Sequence, residues 1–90
     1  MRNILYIRNN NTVCGRLHNE LVMMDIKRGK YYSLNQVATH IWDMLDQPQS
    51  IENICAKLLT EFQVQEEQCY TDVKNYLTEM QKKGLVSTGD

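Results

Sequence analysis

Glycine and proline are scarce in this chain, with four glycines and one proline in 90 residues. The glycines are scattered, so neither a P-loop nor a G-x-G-x-x-G fingerprint can be built from them. Cysteine is also sparse, and Cys14, Cys55 and Cys69 form an odd set with no C-x-x-C spacing. A disulfide scaffold needs an even count and a zinc site needs close pairs, so neither is expected. Cys55 and Cys69 fall on apolar helical stripes, where cysteine acts as a small hydrophobe. His18 and His40 have no His, Cys or Glu partner at ligand spacing, and no metal or cofactor is expected. No apolar run reaches the length of about 18 residues that marks a membrane span. The first residues, MRNILYIRNNN, hold too short an apolar core for a signal peptide. The expected setting is therefore the cytoplasm, with no membrane partner.

Catalytic groupings are missing as well. No nucleophile sits beside a base, and no carboxylate pair marks a cleft. Asp43 and Asp46 lie at i and i+3 on one helix, a spacing that reads as a solvated face. The chain is read as a non-enzyme with no catalytic residues.

The organising stretch is Leu21–Leu45, LVMMDIKRGKYYSLNQVATHIWDML. Val22, Met24 and Ile26 alternate, as do Tyr32 and Leu34, which is the period-two pattern of strands with one dry face. From Gln36 the period lengthens to Val37, Ala38, Ile41, Trp42 and Leu45, a helical stripe. Upstream, Thr12–Leu17 is a strand candidate that would close on Leu21 onward through a two-residue turn at His18-Asn19. That turn sets Val13 opposite Met24 and Gly15 opposite Val22. For the next hairpin, a three-residue loop of Lys27, Arg28 and Gly29 pairs Met24 with Tyr32 and Val22 with Leu34. Ile4–Ile7 is a further strand candidate whose place the sequence leaves open.

Three helices follow. Asn35 caps the first, about Gln36–Asp46, and Ser50 caps the second, which carries Ile51, Ile54, Cys55, Leu58, Leu59 and Phe62. The third begins near Glu66, with a stripe of Cys69, Val73, Tyr76, Leu77 and Met80. Glu66 and Glu67 suit its positive end, and Lys82 and Lys83 its negative end. Gly84-Leu85 reads as a left-handed C-cap, and Val86–Asp90 as a frayed tail. The expected fold is α+β and winged helix-turn-helix-like: three short antiparallel strands, with a candidate fourth, before three helices. The whole chain, residues 1–90, reads as one domain with its core at about 12–86.

Charge is unevenly spread. Residues 1–34 hold six basic side chains against two acidic ones, and residues 35–90 hold four against nine. A winged helix would read DNA with its second or third helix, yet both lie in the acidic half. Phosphate contact depends on Lys and Arg, so DNA recognition is the weaker alternative. Peptide recognition by strand addition fits better. Lys30, Tyr31, Tyr32, Ser33 and Leu34 end the strand series and can leave one row of backbone groups unpaired. Val73, Tyr76, Leu77 and Met80 of the third helix would line the groove beside it. Lys27 and Arg28 would add electrostatic contacts to an acidic guest.

The order of Asp25, Gly29, Tyr31-Tyr32, Leu34-Asn35, Ile41-Trp42 and Leu45 resembles the PqqD-like family. Ser50-Ile51 with Ile54, Asp72-Val73, Leu77 and Gly84-Leu85 extend the likeness over residues 12–86. The resemblance implies a recognition element for ribosomally made, post-translationally modified peptides. Such an element binds the leader segment of a precursor antiparallel to the third strand of its sheet and against its third helix. Those places are Lys30–Leu34 and the Val73–Met80 face. The motifs Y-Y-x-L-N-x-V and I-W-x-x-L resemble the free-standing lasso-peptide form, whose partners are a cysteine-protease-like leader peptidase and other modifying enzymes. A quinone-cofactor or radical-SAM pathway is the alternative within the family. Thr39 and Gln65 depart from the common pattern. Whether the chain is a monomer or a weak homodimer stays open.

Overall fold

Two polar side chains punctuate the helical part as their types require. Asn35 Oδ1 accepts the Ala38 N–H at 2.9 Å, and Ser50 Oγ accepts the Asn53 N–H at 3.2 Å, so each satisfies a donor that the first helical turn leaves orphaned. The computed structural model describes residues 4–18 and 20–89. The elements are β1 (Leu5–Arg8), β2 (Thr12–Leu17), β3 (Glu20–Asp25), β4 (Lys30–Leu34), α1 (Gln36–Met44), α2 (Ile51–Glu61), α3 (Glu66–Lys82) and β5 (Val86–Gly89). The fold is α+β and winged-helix-like. Among the described residues no helix is long and apolar enough to cross a membrane.

β2, β3 and β4 form one antiparallel sheet in that order, while β1 and β5 pair separately. The first hairpin has the expected register, Val13 opposite Met24 and Gly15 opposite Val22. His18 takes the left-handed backbone (φ 60) of a tight turn; its expected turn partner Asn19 lies outside the described residues.

The second hairpin differs from expectation by one residue. Met24 pairs with Tyr31 and Met23 with Tyr32, so Asp25 meets Lys30 and the loop holds four residues, Ile26 to Gly29. The cause is Asp25. Its carboxylate is buried, and Oδ1 accepts the N–H groups of Lys27 at 3.0 Å and Arg28 at 3.1 Å. Its own carbonyl accepts the Gly29 N–H at 2.7 Å. An aspartate that folds the loop over itself must point inward, and Leu21 and Met23 share its parity. The dry face of β3 is therefore Leu21 and Met23 rather than Val22, Met24 and Ile26, and Ile26 is exposed. Tyr32 and Leu34 do face inward.

The C-terminal segment is not frayed. Val86–Gly89 pairs antiparallel with Leu5–Arg8, and Val86 is buried; Asp90 lies outside the described residues. The candidate strand near Ile4–Ile7 thus exists as Leu5–Arg8, away from the main sheet. Arg8 docks this ribbon on the helices: its Nε donates to the Trp42 carbonyl at 3.1 Å, and its guanidinium lies 4.7 Å from the Trp42 ring centroid. A cation over the last turn of α1 also suits the negative end of that helix.

The core gathers Leu21, Met23 and Leu34 from the sheet with Ile41, Trp42, Ile54, Leu58, Val73, Leu77, Leu85 and Val86. Thr39 is buried among them and joins α1 to the sheet. Its hydroxyl accepts the Leu21 N–H and donates to the Leu34 carbonyl, each at 3.1 Å. The hydroxyl is thus inserted between paired residues of β3 and β4, which gives a local reason for the departure from the family pattern. At Gln65 the departure has the opposite result, since α3 starts with no side-chain cap.

α3 ends as the sequence indicates. Gly84 has φ 75, its N–H donates to Gln81 O at 3.0 Å, and the Leu85 N–H donates to Met80 O at 2.9 Å. This is the paired closure in which a left-handed residue turns the chain back over the last helical carbonyls.

Candidate functional site

β4 has a strand on one side only. No described residue makes a main-chain hydrogen bond to its other edge, because β1 is spent on β5. The orientation of that edge follows from alternation. The Ile26 N–H donates to Asn11 O at 3.0 Å, on the β2 side. Ile26, Met24 and Val22 therefore aim their main-chain groups at β2, while Leu21, Met23 and Asp25 aim theirs at β4. In β4 their partners Lys30, Tyr32 and Leu34 face β3, which leaves the N–H and C=O groups of Tyr31 and Ser33 at the open edge.

Beyond this edge lies the C-terminal half of α3, joined to β4 by side chains. Asn35 Nδ2 donates to the Tyr76 hydroxyl at 3.0 Å. The Lys83 ammonium lies 5.4 Å from the Tyr32 ring centroid. Arg28 Nη1 donates to the Lys83 carbonyl at 3.0 Å, and its Nε is 3.9 Å from Asp25 Oδ2. β4 and this half of α3 thus run in opposite directions, and the surface between them, the candidate groove, has Tyr76 towards one end and Lys83 towards the other.

The residues singled out from sequence separate into three groups. Tyr31 and Ser33 provide the edge, with the Tyr31 side chain 73% exposed on the outer sheet face; Lys30 is exposed at its start. Tyr32 and Tyr76 are half-buried and line the groove. Leu34, Val73, Leu77 and Met80 are core: the last three are 1%, 0% and 3% exposed, so they offer a guest no open surface. Of the two expected electrostatic contacts, Lys27 is exposed and Arg28 is engaged at the end of α3.

Sequence reasoning missed Asn35, Asp72 and Lys83 as parts of this surface. For Asp72 and Lys83 the signal is helical spacing: Asp72 is four residues before Tyr76 and Lys83 seven after it, which places these two and Tyr76 on one face. Asp72 and Lys83 are half-buried, as expected at a rim.

A hollow of about 690 Å³ lies elsewhere, between α2 and α3, and is lined by Glu52, Glu66, Glu67, Cys55 and Tyr70 among others. Burial, with Tyr70 and Glu52 nearby, raises the Tyr6 pKa above its usual value. Carboxylates on this side oppose a phosphate backbone. Among the described residues, no cluster of three His, Cys, Asp or Glu side chains could hold a metal.

The fold and site define a winged-helix-like α+β protein in which the β4 edge of the sheet lies open beside a helix. The sequence profile of the family described as coenzyme PQQ synthesis protein D (PqqD) matches residues 20–86, and the chain belongs to that family. No curated protein gives a significant match. Among solved structures, the chain resembles TbiB1 in complex with the TbiA(beta) leader peptide, with TM-score 0.83 and 22% identity over 90% of this chain and 94% of that one. It also resembles lasso peptide synthetase B1 complexed with the leader peptide, with TM-score 0.78 and 19% identity over 91% and 96% of the two chains.

Proposed function

We propose that this protein captures the leader segment of a ribosomally made precursor peptide by adding it as a strand to β4. The observation that carries the reading is the open β4 edge beside the C-terminal half of α3. Two proteins of the same fold, solved with leader peptides, support it. Main-chain bonds to Tyr31 and Ser33 would supply affinity largely independent of guest sequence, and the groove beside Tyr32 and Tyr76 would read alternate side chains. The protein performs no chemistry in this reading. It holds the precursor near a partner enzyme, a leader peptidase of the lasso type, and raises the local concentration of the cleavage site.

Amide hydrogen exchange tests the reading, with short precursors encoded by neighbouring genes screened as the peptide. Saturating peptide should slow exchange at Tyr31 and Ser33 while changing Tyr32 little, since that amide is already paired. Ser33→Pro should abolish binding in fluorescence anisotropy with the fold retained by circular dichroism. Protection confined to the α2–α3 hollow, or full binding by Ser33→Pro, would overturn strand addition.

A further inference from the structure

The two ends of the groove differ in charge. Towards Tyr76, a shallow cavity of about 310 Å³ is lined by Asp72, Asn75, Tyr76 and Glu79. Asp72 Oδ1 accepts a bond from Gln68 at 2.8 Å, and Glu79 lies 3.7 Å from Lys82 on the exposed surface. Towards the start of β4 stand Lys83, Arg28 and Lys30, with the buried Asp25 as the nearby carboxylate. Among the described residues Lys83 has no carboxylate at ion-pair distance, and its ammonium rests on the Tyr32 ring. A cation on an aromatic face at a wet rim is held weakly, so it can turn to an incoming anion.

The strand geometry converts this polarity into a guest pattern. In an antiparallel guest, the residues opposite Tyr31 and Ser33 turn their side chains to the outer sheet face. Those opposite Leu34 and Tyr32 turn inward, towards α3. The residue opposite Leu34 meets Tyr76, and the inward residue two positions later in the guest meets Lys83 and Tyr32. A further inward position, opposite Lys30, follows two residues on.

We infer that the ligand of this groove is a peptide with an apolar or aromatic anchor followed two residues later by Asp or Glu, the carboxylate being held by Lys83. Lys83 is then a specificity-determining residue, and the carboxylates near Tyr76 repel the same peptide bound in the reverse direction. The inference rests on antiparallel strand addition at β4 and goes beyond it by fixing the chemistry of the guest.

Selection of an mRNA-displayed library of random twelve-residue peptides on the immobilised protein tests it. Enriched sequences should carry an acid two residues after an apolar or aromatic residue. In anisotropy titrations, replacing that acid by its amide should weaken binding about three- to fivefold, the range of a partly exposed ion pair, and the loss should shrink at high salt. Lys83→Glu should reverse the preference towards Lys at that position. Lys82→Glu makes the same change of net charge one residue earlier, at a side chain that pairs with Glu79, and should leave the preference unaltered. Enriched peptides that protect Tyr31 and Ser33 yet show no acid preference, or a Lys82→Glu variant that reverses it as fully as Lys83→Glu, would overturn the inference and leave strand addition standing. Failure of the library to yield any peptide that protects Tyr31 and Ser33 would overturn both.

Discussion

Asn35 serves two elements at once: its Oδ1 caps α1 through the Ala38 N–H, and its Nδ2 donates to the Tyr76 hydroxyl of α3 at 3.0 Å. The residue that follows β4 therefore also ties that strand to the helix across the groove. Asn35→Ala should lower stability by about 1 kcal/mol through the lost cap, seen as an earlier midpoint in urea denaturation. Tyr76→Phe keeps the cap and should cost no more than about 0.5 kcal/mol. Tyr76→Ala, by removing the groove's aromatic wall, should weaken peptide binding by about 1–3 kcal/mol. Equal effects of the two Tyr76 variants on binding would show that the ring contributes nothing to recognition.

Thr39 offers a sharper stability test. Thr39→Val keeps the shape but strands the buried Leu21 N–H and Leu34 carbonyl that its hydroxyl joins. The expected loss is about 2 kcal/mol or more, against about 1 kcal/mol for Thr39→Ser, which keeps the hydroxyl and loses a methyl. Chemical denaturation monitored by Trp42 fluorescence would separate the two. The reverse order would mean that the methyl group, not the bridge, is what matters there.

Gly84 combines a left-handed backbone with a close neighbour. A Cβ on Gly84 would stand 2.6 Å from Arg28 Nη1, and φ is 75. Gly84→Ala should cost about 1 kcal/mol for the backbone alone, with more from displacement of Arg28. Arg28→Ala removes the obstacle but leaves the backbone strain. Thermal denaturation of the double variant should therefore show less destabilisation than the two single losses added together.

The cysteines predict a pH profile. Burial first, and then the neighbouring Cys69, push the Cys55 thiol up to about 12 from 9.0. A raised value means that the folded state holds the proton more tightly. This contribution is complete below about pH 9 and is lost as pH rises towards 12. Cys55→Ala should flatten the alkaline limb of a melting-temperature profile. At pH 8, iodoacetamide should modify the exposed Cys14 in the native protein, and Cys55 and Cys69 only after unfolding. Rapid alkylation of Cys55 in the native state would contradict its burial.

The helices were legible because their signals are local. Asn35, Ser50 and Gly84 mark boundaries through bonds within a few residues, and the stripes through Ile54 and Leu77 fix which face is dry. The sheet parity was not, because an apolar count along β3 disfavours a buried Asp25, while the structure buries it to organise the loop. A D-x-x-x-G signal, Asp25 to Gly29, read as an Asx turn would have given the register. β5 was hidden by distance and composition, since its partner lies about eighty residues away and Val86 is the one apolar side chain in its VSTG run. At the candidate site the edge strand was legible as the last of the series. The helix wall was not: the search followed apolar residues, and Val73, Leu77 and Met80 are consumed by the core. What remains on that face, Asp72, Tyr76 and Lys83, is mostly polar.

The alternation of β4 has one more consequence. A visitor gripped through the amides of Tyr31 and Ser33 would turn every second side chain away from α3, to the exposed sheet face that carries Val13 and Tyr31. Mutational drift at those positions would go unpunished by this protein, so precursors could diverge along half their docking segment while remaining clients of one receptor.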